Sequence, residues 1–240
     1  MDSRDRMLII KTGSAIHQVA ELGDFDDWIR DGAGLSEERV VVCRVDEGDR
    51  LPEASEFAGA VITGSPAMVT ERLPWSEQTA EWLTAAIDSG LALLGICYGH
   101  QLLAHALGGR VEPDPAGREI GTVSVKLTLD GEDDALLGLL PSVFQAQATH
   151  VESVTRLPHG AVELATSDHP ANHAFRVGDM VWGVQFHPEF DEAVMRSYLE
   201  ARANVIREEG LDPEALLAAV EPAERATEVL RRFAELVGLA

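Results

Sequence analysis

Cys97 stands between two glycines, Gly95 and Gly99, where the apolar run Leu91–Ile96 gives way to a helical pattern. A chain that turns sharply from strand to helix pushes the residue at the turn out at the sheet edge. Side chains two residues to either side would clash, and glycine removes them. This is the mechanics of the G-x-S-x-G elbow of serine hydrolases, with cysteine in place of serine. The dipole of the following helix favours a thiolate, and the backbone N–H of Tyr98 is free to face an oxyanion. Such a nucleophile needs a base and a group to orient that base. His187 and Glu189 flank Pro188 at the end of another strand-like run, "VWGVQF". In extended chain, residues two apart point the same way. The imidazole can take the thiol proton while the carboxylate holds its other nitrogen, which makes a Cys-His-Glu triad. Alone, His187 and Glu189 would read as surface residues at a strand end. One His and one Glu leave a metal short of ligands, so no metal site is expected. Cys43, inside "VVVCRV", reads as a small buried hydrophobe.

These residues must be carried by elements that bring distant segments together. Met7–Ile10, Val40–Val45, Ala58–Thr63 and Leu91–Ile96 read as buried strands. Asp24–Arg30 opens a helix with acids in its first turn, and Trp75, Thr79, Trp82, Leu83, Ala86 and Ile87 mark a helix over Ser76–Ser89. Leu102, Leu103, Ala106 and Leu107 share a face of the helix after Cys97, which Gly108-Gly109 stops. Strands alternating with helices predict an α/β fold: three layers, with helices on both faces of a mostly parallel central sheet. Such sheets bind ligands at the carboxyl ends of their strands, where Thr12, Gly64 and Cys97 all fall. Ile120–Leu129, Phe144–Thr149, Val162–Thr166 and His173–Val177 read as shorter strands, several of them antiparallel, which form a small antiparallel patch. Asp191 caps a helix to about Arg207, and Asp212-Pro213 and Glu221-Pro222 each start another. No repeat or linker breaks the chain. One domain is expected over 1–240, with a catalytic core at about 7–190 and a helical extension at about 191–240.

The chain has 240 residues, 45% hydrophobic and 25% charged, with a formal net charge of −22. That charge repels phosphate backbones and anionic lipid surfaces, so neither nucleic acid nor membrane is expected as a partner. Two cysteines are too few for a disulfide framework, and "MDSRDRMLIIKTGS" does not read as a secretory signal. A reducing cytoplasm is the expected location.

The motif "GICYGHQ", followed much later by "GVQFHPE", resembles the class I glutamine amidotransferase family. "VITGSP" is similar to the family's oxyanion loop, and "GREIG" (Gly117–Gly121) to the "REFG" segment of the amidotransferase part of GMP synthetase. "QATHVESV" (Gln147–Val154) sits where those domains carry an "SHGD"-like substrate loop. The match covers most of residues 7–190 and implies a flavodoxin-like fold. It also implies catalytic roles for Cys97, His187 and Glu189, with the oxyanion held by the backbone N–H groups of Tyr98 and of the Gly64-Ser65 loop. Gln101 and backbone groups around Thr149, His150 and Val151 would grip the α-amino and α-carboxyl ends of the substrate. The family chemistry needs no cofactor. It passes through a γ-glutamyl thioester and releases ammonia.

Two departures bear on the substrate. The loop that often reads Gly-Gly-Pro is here Gly64-Ser65-Pro66, and Val151 replaces a glycine that elsewhere lies close to substrate. The substrate is therefore glutamine or another γ-glutamyl compound. No phosphate loop of the G-x-x-x-x-G-K-[ST] type is present. Either a separate synthetase or acceptor subunit uses the ammonia, or the chain is an autonomous γ-glutamyl hydrolase. A third reading, a non-catalytic binding protein on the same fold, leaves all three triad positions unexplained. His105 reads as a helical residue and His100 as at most a support for the site. His159, His169 and His173 read as surface residues, and "DGEDD" (Asp130–Asp134) as a solvated turn.

Overall fold

A computed structural model describes residues 5–169 and 172–240. The first four residues, and with them the charged start of the sequence, lie outside the described part. Four buried strands run parallel with a fifth: β1 (Met7–Lys11), β2 (Val40–Arg44), β3 (Gly59–Ile62), β4 (Ala92–Ile96) and β11 (Val181–Val184). Between them in sequence come α1 (Phe25–Gly32), α2 (Pro74–Asp88), α3 (Tyr98–Ala106), β5 (Arg110–Pro113), β6 (Glu119–Leu127), α4 (Leu129–Glu132), β7 (Val143–His150), β8 (Glu152–Arg156), β9 (Val162–Thr166) and β10 (Asn172–Val177). The chain closes with α5 (Glu192–Glu208), α6 (Pro213–Ala218) and α7 (Glu224–Leu236). One sheet of nine strands results, in the order β2-β1-β3-β4-β11-β10-β9-β6-β7, with β5 and β8 as a separate antiparallel pair. The pairings from β2 to β11 are parallel and those from β11 to β7 are antiparallel. This is the α/β architecture that the alternating pattern predicts.

The pleat explains why the parallel strands read as continuous apolar runs. Met7 and Ile9 join the core on one face of the sheet, with α1 and α7. Leu8 and Ile10 join the core on the other face, with α2 and α3. Burying each such side chain contributes about 1.5–3 kcal/mol. A third cluster, Val19, Phe25, Phe190, Met195, Tyr198 and Leu199 among others, lies under α5.

The local signals hold at most helix starts. Asp24 caps α1, accepting from the Phe25 N–H, and the Asp191 side chain accepts from Val194 at the start of α5. One start moves: α7 begins at Glu224 rather than at Glu221-Pro222. Two other expectations are corrected. "DGEDD" is not wholly solvated: Asp134 is buried and accepts from Trp182 Nε1 at 3.1 Å and Arg176 Nε at 2.8 Å. His173 is fully buried on β10 and His169 is half-buried, so neither is an open surface residue.

Strand register positions the site. Ile96, at the end of β4, lies opposite Val184, at the end of β11. Cys97 follows the first and the His187 segment follows the second, so parallel pairing alone brings the two together. The Cys97 N–H donates to the Val184 carbonyl at 2.8 Å, and the His187 N–H to the Gln147 carbonyl at 2.8 Å, which draws in the end of β7.

Candidate active site

Cys97 occupies the junction between β4 and α3 with φ 50° and ψ −100°. A left-handed φ on a residue with a Cβ is strained by about 1–3 kcal/mol and is held only when its surroundings over-determine it. The two glycines show how. A Cβ on Gly95 would lie 2.4 Å from the Gly99 carbonyl oxygen, and one on Gly99 would lie 2.4 Å from that of Ile62. The elbow is therefore a close backbone crossing that glycine alone permits. Tyr98 begins α3, so its N–H belongs to the unpaired first turn of that helix.

His187 Nδ1–H donates to Glu189 Oε1 at 2.7 Å, and the Glu189 side chain is fully buried. Cys97 and the imidazole line the same pocket. Burial opposes charge on the ring, but the Glu189 carboxylate and the Cys97 sulfur outweigh it, so His187 is pushed up to about 10 from 6.5. His187 Nε2 is buried and has no hydrogen-bond partner among the described residues. The ring is clamped by stacking: its centroid is 4.1 Å from that of Phe190, at 18°, and 6.3 Å from that of Phe25, at 17°. Phe25 is itself anchored from β1, where the buried Lys11 ammonium pairs with Asp24 and Asp26 at 2.7 Å each.

The Gly64-Ser65 loop is fixed by hydroxyls. Thr12 Oγ1 donates to the Gly64 carbonyl at 3.0 Å, Thr63 Oγ1 donates to it at 2.8 Å, and Ser65 Oγ donates to the Thr12 carbonyl at 2.6 Å. In a trans peptide the N–H opposes the C=O, so these bonds aim the Ser65 N–H away from the hydroxyls. Gly64 sits against the imidazole; a Cβ there would meet His187 Cε1 at 3.0 Å.

A pocket open to solvent joins most of the residues singled out from the sequence. Ser65, Cys97, Tyr98, Gln101, Thr149, His150, Val151 and His187 all line it, and Glu189 stands behind His187. Gln101 enters with its amide nitrogen already committed: Nε2 donates to the Glu152 carbonyl at 2.7 Å and to Gln185 Oε1 at 3.0 Å. That leaves its oxygen as the group it can offer a ligand. The Cys97 thiol donates to the Thr149 carbonyl at 3.7 Å.

A reading of the sequence misses His173 and Arg202, and the side-chain roles of Glu119 and His150. Glu119, His150 and His173 meet behind the pocket wall. His150 Nε2 lies 2.9 Å and His173 Nε2 2.8 Å from the same oxygen, Glu119 Oε2. Burial alone would raise Glu119, but the two imidazoles hold it well below the usual carboxylate range; burial holds His150 below its own ordinary value. The three ligand atoms lie within 4.8 Å of one another, a grouping that could also hold a metal ion. His150 Nδ1 faces the Glu152 carbonyl at 3.1 Å, so this junction braces the Thr149–Val151 segment from behind. His100, beneath Gly183, is fully buried, and desolvation pushes it down to about 3. Arg118 and Arg202 also line the pocket, and no local motif marks Arg202.

The family model for "Glutamine amidotransferase class-I" matches residues 23–203. The chain belongs to the class I glutamine amidotransferase family. Within that family it is 40% identical over 149 residues to a glutamine-hydrolysing GMP synthase of Porphyromonas gingivalis, covering 61% of this chain and 28% of that protein. It therefore spans little more than a quarter of that relative. It is 38% identical over 139 residues to a single subunit of the glutamine-hydrolysing GMP synthase of Ignicoccus hospitalis, covering 58% of this chain and 70% of that protein. A glutamine amidotransferase crystal structure from Thermotoga maritima shares the fold, with a TM-score of 0.78 and 22% identity over 98% of both chains. Another, from Methylobacillus flagellatus, has a TM-score of 0.67 at 25% identity, over 98% of this chain and 90% of that one. Both neighbours support the flavodoxin-like amidotransferase fold that the motifs imply. No helix among the described residues is long and apolar enough to cross a membrane.

Proposed function

We propose that this amidotransferase chain hydrolyses the side-chain amide of glutamine or of a related γ-glutamyl compound. The arrangement of Cys97, His187 and Glu189 at one pocket carries the reading. The Cys97 thiol proton passes to His187, and the sulfur attacks the γ-carbonyl carbon. The C=O electrons move to oxygen, and the Tyr98 and Ser65 N–H groups stabilise the oxyanion. Losing one such donor costs about a hundredfold or more in rate. The carbonyl re-forms, the C–N bond breaks, and His187 gives its proton to the leaving nitrogen. A γ-glutamyl thioester remains on Cys97. Water then attacks it while His187 takes a proton from that water. Glutamate leaves and the thiol is regenerated. Glu189 stabilises the imidazolium throughout and fixes its tautomer. Gln101 and the Thr149-His150-Val151 backbone hold the glutamyl end.

The chain acts as one catalytic unit in the cytoplasm, with α5, the first of its C-terminal helices, walling the pocket. Ammonia passes to a synthetase or acceptor subunit, a reading supported by the likeness to a protein named as one subunit of a GMP synthase. An autonomous γ-glutamyl hydrolase is the second reading, favoured by Val151 at the pocket wall. The test is ammonia and glutamate release by the purified chain from glutamine and from a γ-glutamyl dipeptide, with Cys97→Ala as the control. Cys97-dependent release from either supports the hydrolysis; equal release by the variant would refute it.

A further inference from the structure

The pocket holds two arginines that share a single nearby acid, Glu209. Arg118 and Arg202 both line it, yet they differ in their partners. Arg118 is matched: Nε and Nη2 donate to the two oxygens of Glu209 at 2.6 and 2.9 Å. Arg202 is not. Its Nε is buried and has no hydrogen-bond partner among the described residues. The acid that lines the same pocket, Glu152, is occupied by the Thr70 hydroxyl and N–H. A guanidinium withdrawn from water normally meets a carboxylate or phosphate, because its desolvation is otherwise uncompensated. Here burial and the neighbouring Arg118 work against the Arg202 charge and outweigh the favourable effect of Tyr198 and of Glu209, which is already paired with Arg118. In a chain of net charge −22, an unmatched arginine beside a nucleophile is not a matter of bulk composition.

Its position indicates which part of a substrate it would meet. Arg202 is one helical turn beyond Tyr198 on α5, and residues four apart share a helix face. The Tyr198 ring lies 5.1 Å from Phe190, which stacks at 4.1 Å on His187. Tyr198 and Arg202 thus form the α5 wall of the pocket, which adjoins the Phe190–His187 stack. Gln101, assigned to the glutamyl end, is tied to Glu152 and Gln185 instead.

We infer that Arg202, supported by Arg118, forms a carboxylate subsite for the leaving group, so that the preferred substrate is a γ-glutamyl amide whose amine half carries its own carboxylate. This rests on the proposed Cys97 hydrolysis in its second reading, an autonomous γ-glutamyl hydrolase, and narrows its substrate class. The overall change is amide plus water giving glutamate plus an amino acid, with no further reactant. Planar guanidinium matches a carboxylate through two parallel N–H bonds, which ammonia as a leaving group cannot use.

The experiment compares γ-glutamylglycine, γ-glutamylglycinamide and glutamine as substrates of the full chain, for the wild type, Arg202→Gln and Arg202→Lys. The wild type should favour the free acid over the amide in kcat/KM by about tenfold or more, the size of one charge-assisted contact. In R202Q that preference should collapse, while R202K, which keeps the charge, should retain part of it. A wild-type ratio near one, or an undiminished ratio in R202Q, overturns the inference. An equal loss on all three substrates also overturns it and would place Arg202 on the glutamyl end. Binding separates this from the chemistry. In Cys97→Ala, calorimetric titration should show γ-glutamylglycine binding more tightly than its amide, a difference that C97A/R202Q abolishes. If no substrate turns over but that difference is present, the hydrolysis reading fails and the subsite stands. If turnover depends on Cys97 and the difference is absent, the reverse holds.

Discussion

The His187 imidazole and the Phe190 ring lie face to face, with centroids 4.1 Å apart and planes 18° from parallel. Phe190 comes three residues after the base, accepts no proton and is 2% exposed. Its contact holds the imidazole plane while Glu189 fixes one nitrogen. Replacing it with Leu keeps the position apolar but gives up its ring contacts to His187, Phe25, Trp28 and Tyr198, so stability should fall by about 1–3 kcal/mol. kcat should fall about tenfold or more, because a loosened ring misplaces the proton it carries. Steady-state kinetics beside a urea melt checks the pair of outcomes; a kcat loss matched by unfolding would not fit.

The raised His187 gives a pH signature. Its value of about 10 lies above the ordinary 6.5, so the charged ring stabilises the fold fully below pH 6.5 and progressively less as pH rises towards 10. Urea midpoints should therefore decline over that window. In Glu189→Gln the main favourable charge is gone, and the decline should shift to lower pH or vanish. The alkaline limb of the kcat/KM profile should move with it. Identical profiles for the two proteins would contradict the assignment.

Strain at Cys97 predicts an inverted stability order. Glycine usually costs stability relative to alanine because its unfolded chain has more freedom. At φ 50° the Cβ is the costly feature, so Cys97→Gly should be more stable than Cys97→Ala, by about 1 kcal/mol. Both should be inactive. Chemical denaturation of the two variants settles the order.

The junction behind the pocket should show in acid. Glu119 takes two imidazoles on one oxygen and is held below its ordinary 4.5, so its contribution is present above that pH and lost as pH falls towards the folded value. Removing Glu119 leaves two buried imidazole N–H donors without their acceptor, at a cost of about 1–3 kcal/mol each. Glu119→Ala should lose that much at pH 7, and the gap to wild type should narrow in acid. Unfolding curves at several pH values test it.

Much of the site is local in sequence, and those parts were legible. Gly95, Cys97 and Gly99 encode a backbone crossing in five residues, and His187 and Glu189 share a face of extended chain. What lay beyond reach depends on long-range pairing. His173 becomes buried because β6 and β7 bring Glu119 and His150 alongside β10, and nothing near His173 signals that. Asp134 reads as one acid in a charge run until Trp182 and Arg176, from β11 and β10, donate to it. β5 and β8 are short, and β5 is largely exposed with a proline at its end, so the pattern of two is weak there. Arg202 looks like any helical arginine until the helix is laid against the pocket.

In the proposed mechanism Cys97 carries the γ-glutamyl group between two half-reactions. The measurement that meets it most directly is acid quenching during turnover of γ-glutamylglycine and of glutamine, followed by peptide mass spectrometry. A γ-glutamyl mass increment on the Cys97 peptide, absent in Cys97→Ala and accumulating when water attack is slowed, is the predicted result. Steady turnover with Cys97 unmodified, or turnover that persists in Cys97→Ala, would contradict it.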